Sequence, residues 1–136
     1  MILGMLMSVV YFLCVTILVL ILVALDMKIN PSYNLGDEIR KGNAAVGLSV
    51  AGKFIGLGVI AMSAIAHNSG FMGIFYSMVW TAFGAVLQIV GGLIFEVVTP
   101  KLAVGKELAA GNRAVGLVSM GIGIGLSLII SASISG

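Results

Sequence analysis

The sequence predicts an all-α membrane protein of four transmembrane helices, a tandem duplication of a two-helix hairpin whose repeats share one topology. Three observations lead there. First, 136 residues carry only seven basic and five acidic side chains, against 60% hydrophobic residues and a mean hydropathy of +1.23. A soluble domain places about a quarter of its residues as charges on a surface that must face water. The 9% found here excludes a water-soluble monomer and a disordered tail. Second, four runs reach the roughly 20 apolar residues that a bilayer core of about 30 Å requires. Third, the chain matches itself at a fixed shift, the signature of an internal repeat.

The first run covers about residues 1–25. It has no basic leading segment, and it is longer than the roughly 7–15 apolar residues of a secretory signal. It is therefore read as a retained helix, with Cys14 as a small buried hydrophobe. A charged loop follows, then a second span over about 44–66 and a short turn, His67-Asn68-Ser69-Gly70. The third span covers about 71–98 and the fourth about 114–134, separated by a second charged loop. Lipid offers the backbone no hydrogen-bond partners, so each span must satisfy itself as a helix. The alternating segments of roughly ten residues that a transmembrane barrel needs are not seen. Residues 1–136 thus form one domain, with repeat one over 1–67 and repeat two over 71–136.

The repeat is read at a shift of 69 positions. Pro31 falls on Pro100, Gly36 on Gly105, Glu38 on Glu107, and Gly42-Asn43 on Gly111-Asn112. Ala45-Val46-Gly47-Leu48 falls on Ala114-Val115-Gly116-Leu117, and Gly52, Ile55, Gly56 and Leu57 on Gly121, Ile124, Gly125 and Leu126. Fifteen of the 35 positions from 31 to 65 are identical, too many for shared apolar bias. Two helices per unit make the halves parallel, related by an axis along the membrane normal.

In each loop, proline ends the incoming helix and a short amphipathic segment follows, Leu35–Lys41 or Val104–Ala110. Its apolar residues, Leu35 and Ile39 or Val104 and Leu108, suit the bilayer interface. Gly42 and Gly111 supply the left-handed residue that closes a helix. Asn43 and Asn112 then fit the N-caps of the second and fourth spans. Six of the seven basic residues (Lys28, Arg40, Lys41, Lys101, Lys106 and Arg113) lie in or beside these loops. The positive-inside rule places the loops in the cytoplasm and both termini outside.

The doubled Glu-x(3)-Gly-Asn-x-Ala-Val-Gly-Leu pattern, with four spans in about 130 residues, resembles the domain of unknown function 350 family. Its members are small, duplicated bacterial inner-membrane proteins. The resemblance covers nearly the whole chain and implies a bacterial plasma-membrane location, with no established activity. It hints at membrane-stress proteins as partners.

Lys53 lies ten residues past Asn43, about 15 Å along the helix. An ionised lysine at that depth costs at least about 2.5 kcal/mol on insertion scales, so it should face protein or water. Ser49, Lys53, Gly56, Ile60, Ser63 and His67 share one helical stripe, and Ser77, Thr81, Gly84, Gln88, Gly91 and Gly92 share another. Lys53 and Gln88 fall at similar depths, which predicts a Lys53–Gln88 hydrogen bond, with Ser49 and backbone carbonyls also holding the lysine and Glu96 in reach only if it extends inward. Lys53, Gln88, Ser49 and Thr81 form the candidate intramembrane polar site. Asp26 and Glu96 are read as marking the water boundary. Two readings of the stripes compete: a packing device, or a hydrated path with Lys53 as its gate or selectivity element. Gly52/Gly56 and Gly121/Gly125, four apart, predict close helix packing within or between chains.

One cysteine and one histidine give no metal cluster and no nucleophile–base pair, so neither catalytic residues nor a cofactor are expected. A formal charge of +2 is too small for a nucleic-acid surface. Two functions remain. One is an oligomerising scaffold or binding component in the bilayer, a homo-oligomer docking a cytosolic or membrane partner. The alternative is an ion or small-solute channel or transporter centred on Lys53 and Gln88.

Overall fold

The computed structural model describes residues 1–29 and 32–136, and helices form nearly all of it. Four long helices carry the length and apolarity to cross a membrane: α1 (Ile2–Ile29), α3 (Ala44–Ala66), α4 (Gly70–Val98) and α6 (Arg113–Ser135). Two short helices, α2 (Leu35–Arg40) and α5 (Val104–Ala109), precede α3 and α6, and a 3-10 turn over Pro100–Leu102 leads into α5. The expected helix end at Pro31 lies outside the described residues.

Each short helix joins its long neighbour by one construction. Gly42 and Gly111 adopt φ of +78° and +81°, cheap only for glycine. This lets the Asn43 N–H reach back to the Glu38 carbonyl and the Gly42 N–H to that of Ile39, each at 3.0 Å. Asn112 and Gly111 repeat the pattern on Glu107 and Leu108. Paired six-to-one and five-to-two bonds of this kind close a helix with its carbonyls satisfied. The same asparagine opens the next helix: Asn43 Oδ1 accepts from Ala45 and Val46, and Asn112 Oδ1 accepts from Val115.

α3 is the most enclosed of the long helices and α1 the least. α3 packs along its length on α6, and glycines set the separation. A Cβ on Gly52 would lie 2.6 Å from the Met120 Cα, and one on Gly116 would lie 2.6 Å from the Ala45 carbonyl oxygen. Such contact between backbones is how small residues drive helix association in lipid, where no hydrophobic gain is available. Hydroxyls stitch the seam: Ser49 Oγ meets Ser119 Oγ at 2.9 Å, and Ser63 Oγ donates to the Ser131 carbonyl at 3.1 Å.

The mid-bundle core joins Val23 of α1, Leu57 and Ile60 of α3, Ala85 of α4 and Ile130 of α6. A second core at one end joins Ala45, Val46, Leu108 and Val115, with Tyr33, Leu35, Leu102 and Val104 against it. Both short helices therefore sit at the same end of the bundle. At the opposite end, Tyr11 donates to the carbonyls of Asn68 and Gly70 at 3.2 and 3.0 Å. Tyr11 is nine residues into α1, whereas Gly70 is the first residue of α4. The two helices are thus offset along the bundle by several residues.

The bounds of α1 correct the reading of helix one. It was expected to stop near residue 25 and runs to Ile29, carrying Asp26 inside its last turns. The second span matches α3, and the third and fourth gain one residue or two at their ends.

Candidate functional site

Where α1 ends short of α4, the bundle holds a cavity of about 490 Å³ at the short-helix end. Its wall takes polar groups from every long helix: Asp26 of α1, Lys53 and Ser49 of α3, Gln88 and Glu96 of α4, and Ser119 of α6. Tyr33 and α2 cross one side, and Val104, Gly105 and Leu108 of α5 form another.

The central pair is Lys53 with Asp26, Nζ to Oδ2 at 2.5 Å. Their side chains keep 28% and 20% of their surface, so both still reach the cavity space. The expected Lys53–Gln88 bond is not formed. Gln88 turns to α6, donating to Ser127 Oγ at 2.7 Å and to the Gly123 carbonyl at 3.3 Å. Charge explains the exchange. A lysine out of bulk water gains more from a carboxylate than from a neutral amide, and the α1 offset brings one within reach. Asp26, read from the sequence as a boundary residue, is here the counter-charge of Lys53.

The other expected members of the site divide. Ser49 lines the cavity and bonds Ser119. Thr81 does not line it: it is fully buried and donates to the Ser77 carbonyl of its own helix at 2.7 Å. Ser77 in turn donates to the Ala64 carbonyl. Beyond Gln88 the polar stripe of α4 therefore spends its hydrogen bonds on backbone, and Val23 and Ile60 fill the space between helices. No buried side-chain polar atom is left without a partner among the described residues, and these residues hold no cluster of three metal-ligating side chains.

The repeated asparagines are held by the repeated glutamates. Asn43 Nδ2 donates to Glu38 Oε2 at 2.8 Å, and Asn112 Nδ2 to Glu107 Oε2 at 2.9 Å. This fixes the amide so that its oxygen faces the helix N–H groups, which gives the Glu-x(3)-Gly-Asn spacing its physical meaning. The Asn43 amide holds the Glu38 carboxyl below its ordinary range, with Lys41 acting the same way. Asn43 Nδ2 also donates to the Leu108 carbonyl at 2.9 Å, tying α3 to α5. At the cavity edge, burial pushes the Tyr33 phenol up, and the charges of Asp26, Glu38 and Glu96 push it further.

The expected glycine contacts also divide. Gly52 and Gly56 sit in the α3–α6 seam, Gly56 facing Ser127, Gln88 and Gly123. Gly121 and Gly125 meet nothing within 4 Å, so within one chain they pack no helix; Gly116 and Gly123 take that part on α6. The sequence reading missed the Asp26–Lys53 pair and the Gln88–Ser127–Gly123 link, since both depend on helix offset and rotation. The one available signal was a lysine inside one apolar run and a carboxylate at the end of another, charges that lipid would drive together.

A four-helix polytopic membrane protein with a polar cavity at one end is the class these features define. The family model described as Domain of Unknown Function (DUF350) matches residues 1–134, and the chain belongs to that family. It is similar to the UPF0719 transmembrane protein YshE of Bacillus subtilis (strain 168), 33% identical over 121 residues, covering 88% of this chain and 87% of the relative. It is also similar to a UPF0719 transmembrane protein of Aquifex aeolicus (strain VF5), 26% identical over 112 residues, covering 82% of this chain and 41% of that protein. The chain thus spans less than half the length of the Aquifex relative. No solved structure matches.

Proposed function

We propose that this protein is a binding component of the bacterial inner membrane, oligomeric, with its charged loops and cavity open to the cytoplasm and both termini outside. In this reading it is a tandem duplication of parallel hairpins, and the cavity receives a small zwitterionic solute. The ion pair in the cavity's wall carries the proposal. A lone anion drawn to Lys53 would leave the Asp26 carboxylate uncompensated away from bulk water, and a lone cation would strand Lys53; either is costly. A ligand bearing both charges can open the pair and satisfy each half. Cytosolic or membrane-stress partners would dock on the α2 and α5 layer, where the repeated loops lie together.

Transport of the same solute is the second reading, favoured by the depth of the cavity, which reaches the level of Lys53 and Gln88. An open channel has less support, because Ser77, Thr81, Val23 and Ile60 close the bundle beyond.

The test is thermal unfolding in detergent with glycine betaine or alanine, against tetramethylammonium and acetate as single-charge controls. The zwitterions should raise Tm, the controls should not, and Lys53→Met/Asp26→Leu should abolish the difference. That double variant should itself remain folded, since exchanging a buried pair for apolar residues is commonly neutral or stabilising by about 1–4 kcal/mol. Equal shifts from all four solutes, or shifts surviving in the double variant, would overturn the reading. Flux of the binding zwitterion in proteoliposomes separates carrier from binder.

A further inference from the structure

The α3–α6 seam is one-sided with respect to the repeat. α3 meets α6 through Ala45, Ser49, Gly52, Gly56 and Ser63, with Ile60 beside them in the core that includes Ile130, and all six are buried. Their counterparts 69 positions on are Ala114, Val118, Gly121, Gly125, Ile129 and Ala132. Every one of these except the partly exposed Gly125 is exposed. The converse holds too. α6 meets α3 through Gly116, Met120, Gly123, Ser127 and Ser131, whose counterparts on α3 are Gly47, Ala51, Phe54, Gly58 and Met62. Among these, Phe54, Gly58 and Met62 are exposed. The two related helices therefore touch through different faces, and each keeps free the face that the other has used.

The loop layer shows the same polarity independently. Asn43 crosses to the Leu108 carbonyl, whereas Asn112, its counterpart, has only its own Glu107 as side-chain acceptor among the described residues. Leu108 is 3% exposed, while its counterpart Ile39 is 48% exposed. A head-to-tail contact of this kind is unsatisfied at both ends, and copies joined by it close a ring or run on.

We propose that the free face of α6 docks on the free face of α3 of a second copy of this chain, repeating between chains the contact already made within one. In that contact Gly121 takes the part of Gly52 and Ala51 that of Met120. The Phe54 ring enters the notch at Gly121 and Gly125, and Asn112 reaches the Ile39 carbonyl of the second copy. Parallel repeats put the operator along the membrane normal, so the assembly grows in the plane of the bilayer. The inference rests on the parallel-repeat reading above and supplies the surface for the oligomer named there.

The test uses full-length protein in vesicles with Cys14→Ser as background. Ala51→Cys/Gly121→Cys should crosslink under copper-phenanthroline oxidation into species of two or more chains, at least tenfold above either single variant. Gly121→Leu should cut the assembled fraction about tenfold with helix content unchanged, because a side chain there meets nothing within the chain. Crosslinking of Gly121→Cys alone would indicate a two-fold face and overturn the proposal, as would wild-type protein that stays single at every protein-to-lipid ratio. Maleimide labelling of Asp37→Cys and Lys106→Cys separates the two readings. Labelling from one side with no crosslink sinks only the docking, and labelling from opposite sides sinks the parallel repeat with it.

Discussion

At the scale of single residues, the Glu–Asn lock does the most with the least. Asn43 caps α3, holds Glu38 and reaches α5, so Asn43→Ala removes a cap and two further side-chain hydrogen bonds. A capping loss alone costs about 0.5–2 kcal/mol. Thermal unfolding should place Asn43→Ala at the upper end of that range and Asn112→Ala, whose amide bonds Glu107 but, among the described residues, makes no bond like that of Asn43 to Leu108, lower within it. The Glu38 carboxyl is held below its ordinary value in the folded protein. Its contribution is therefore full above an unfolded pKa of about 4.3 and is lost as pH falls through the lower folded value. Glu38→Gln should flatten that part of an acid-unfolding profile. Ala103 sits at φ +45°, left-handed without a glycine's freedom. Such a conformation costs an L-residue roughly 1–2 kcal/mol. Ala103→Gly should recover about 1 kcal/mol of that, read as a raised Tm.

Between elements, the question is which glycines hold helices together. Gly52→Ala should destabilise by about 1–3 kcal/mol, the usual range for overpacking, because its Cβ would meet the Met120 backbone. Gly121→Ala, at the equivalent repeat position, should leave the unfolding of a single chain unchanged. The paired measurement separates helix packing from the general abundance of glycine in membrane spans. This scale also shows what a sequence makes legible. The bounds of α3 follow from Asn43 and a continuous apolar run, both local features, and were readable to the residue. The end of α1 was not: Asp26 looks like a boundary unless its partner is known, and that partner is on another helix. Helical periodicity put Ser49, Lys53 and Gln88 on inward stripes, where the cavity finds them. It carried no information on axial offset, so it paired Lys53 with Gln88. Nor does it tell which of two equivalent glycine faces is turned inward, and so Gly121 and Gly125 were grouped with Gly52 and Gly56.

For the whole molecule, the long helices fall into two lengths. α1 and α4, with 28 and 29 residues, extend about 42–44 Å at 1.5 Å per residue. The α3–α6 pair, at 23 residues each, extends about 35 Å by the same rise. One flank of the bundle therefore asks for more hydrocarbon than the other. Where the bilayer is thin, the longer pair must tilt or push apolar side chains toward water, at a fraction of a kcal/mol per Å of mismatch. Reconstitution across lipids of increasing acyl length should raise Tm until the longer pair is covered. Tyr11 anchors α1 to the start of α4, so a change in lipid thickness would move the two long helices together, carrying Asp26 relative to Lys53 on α3.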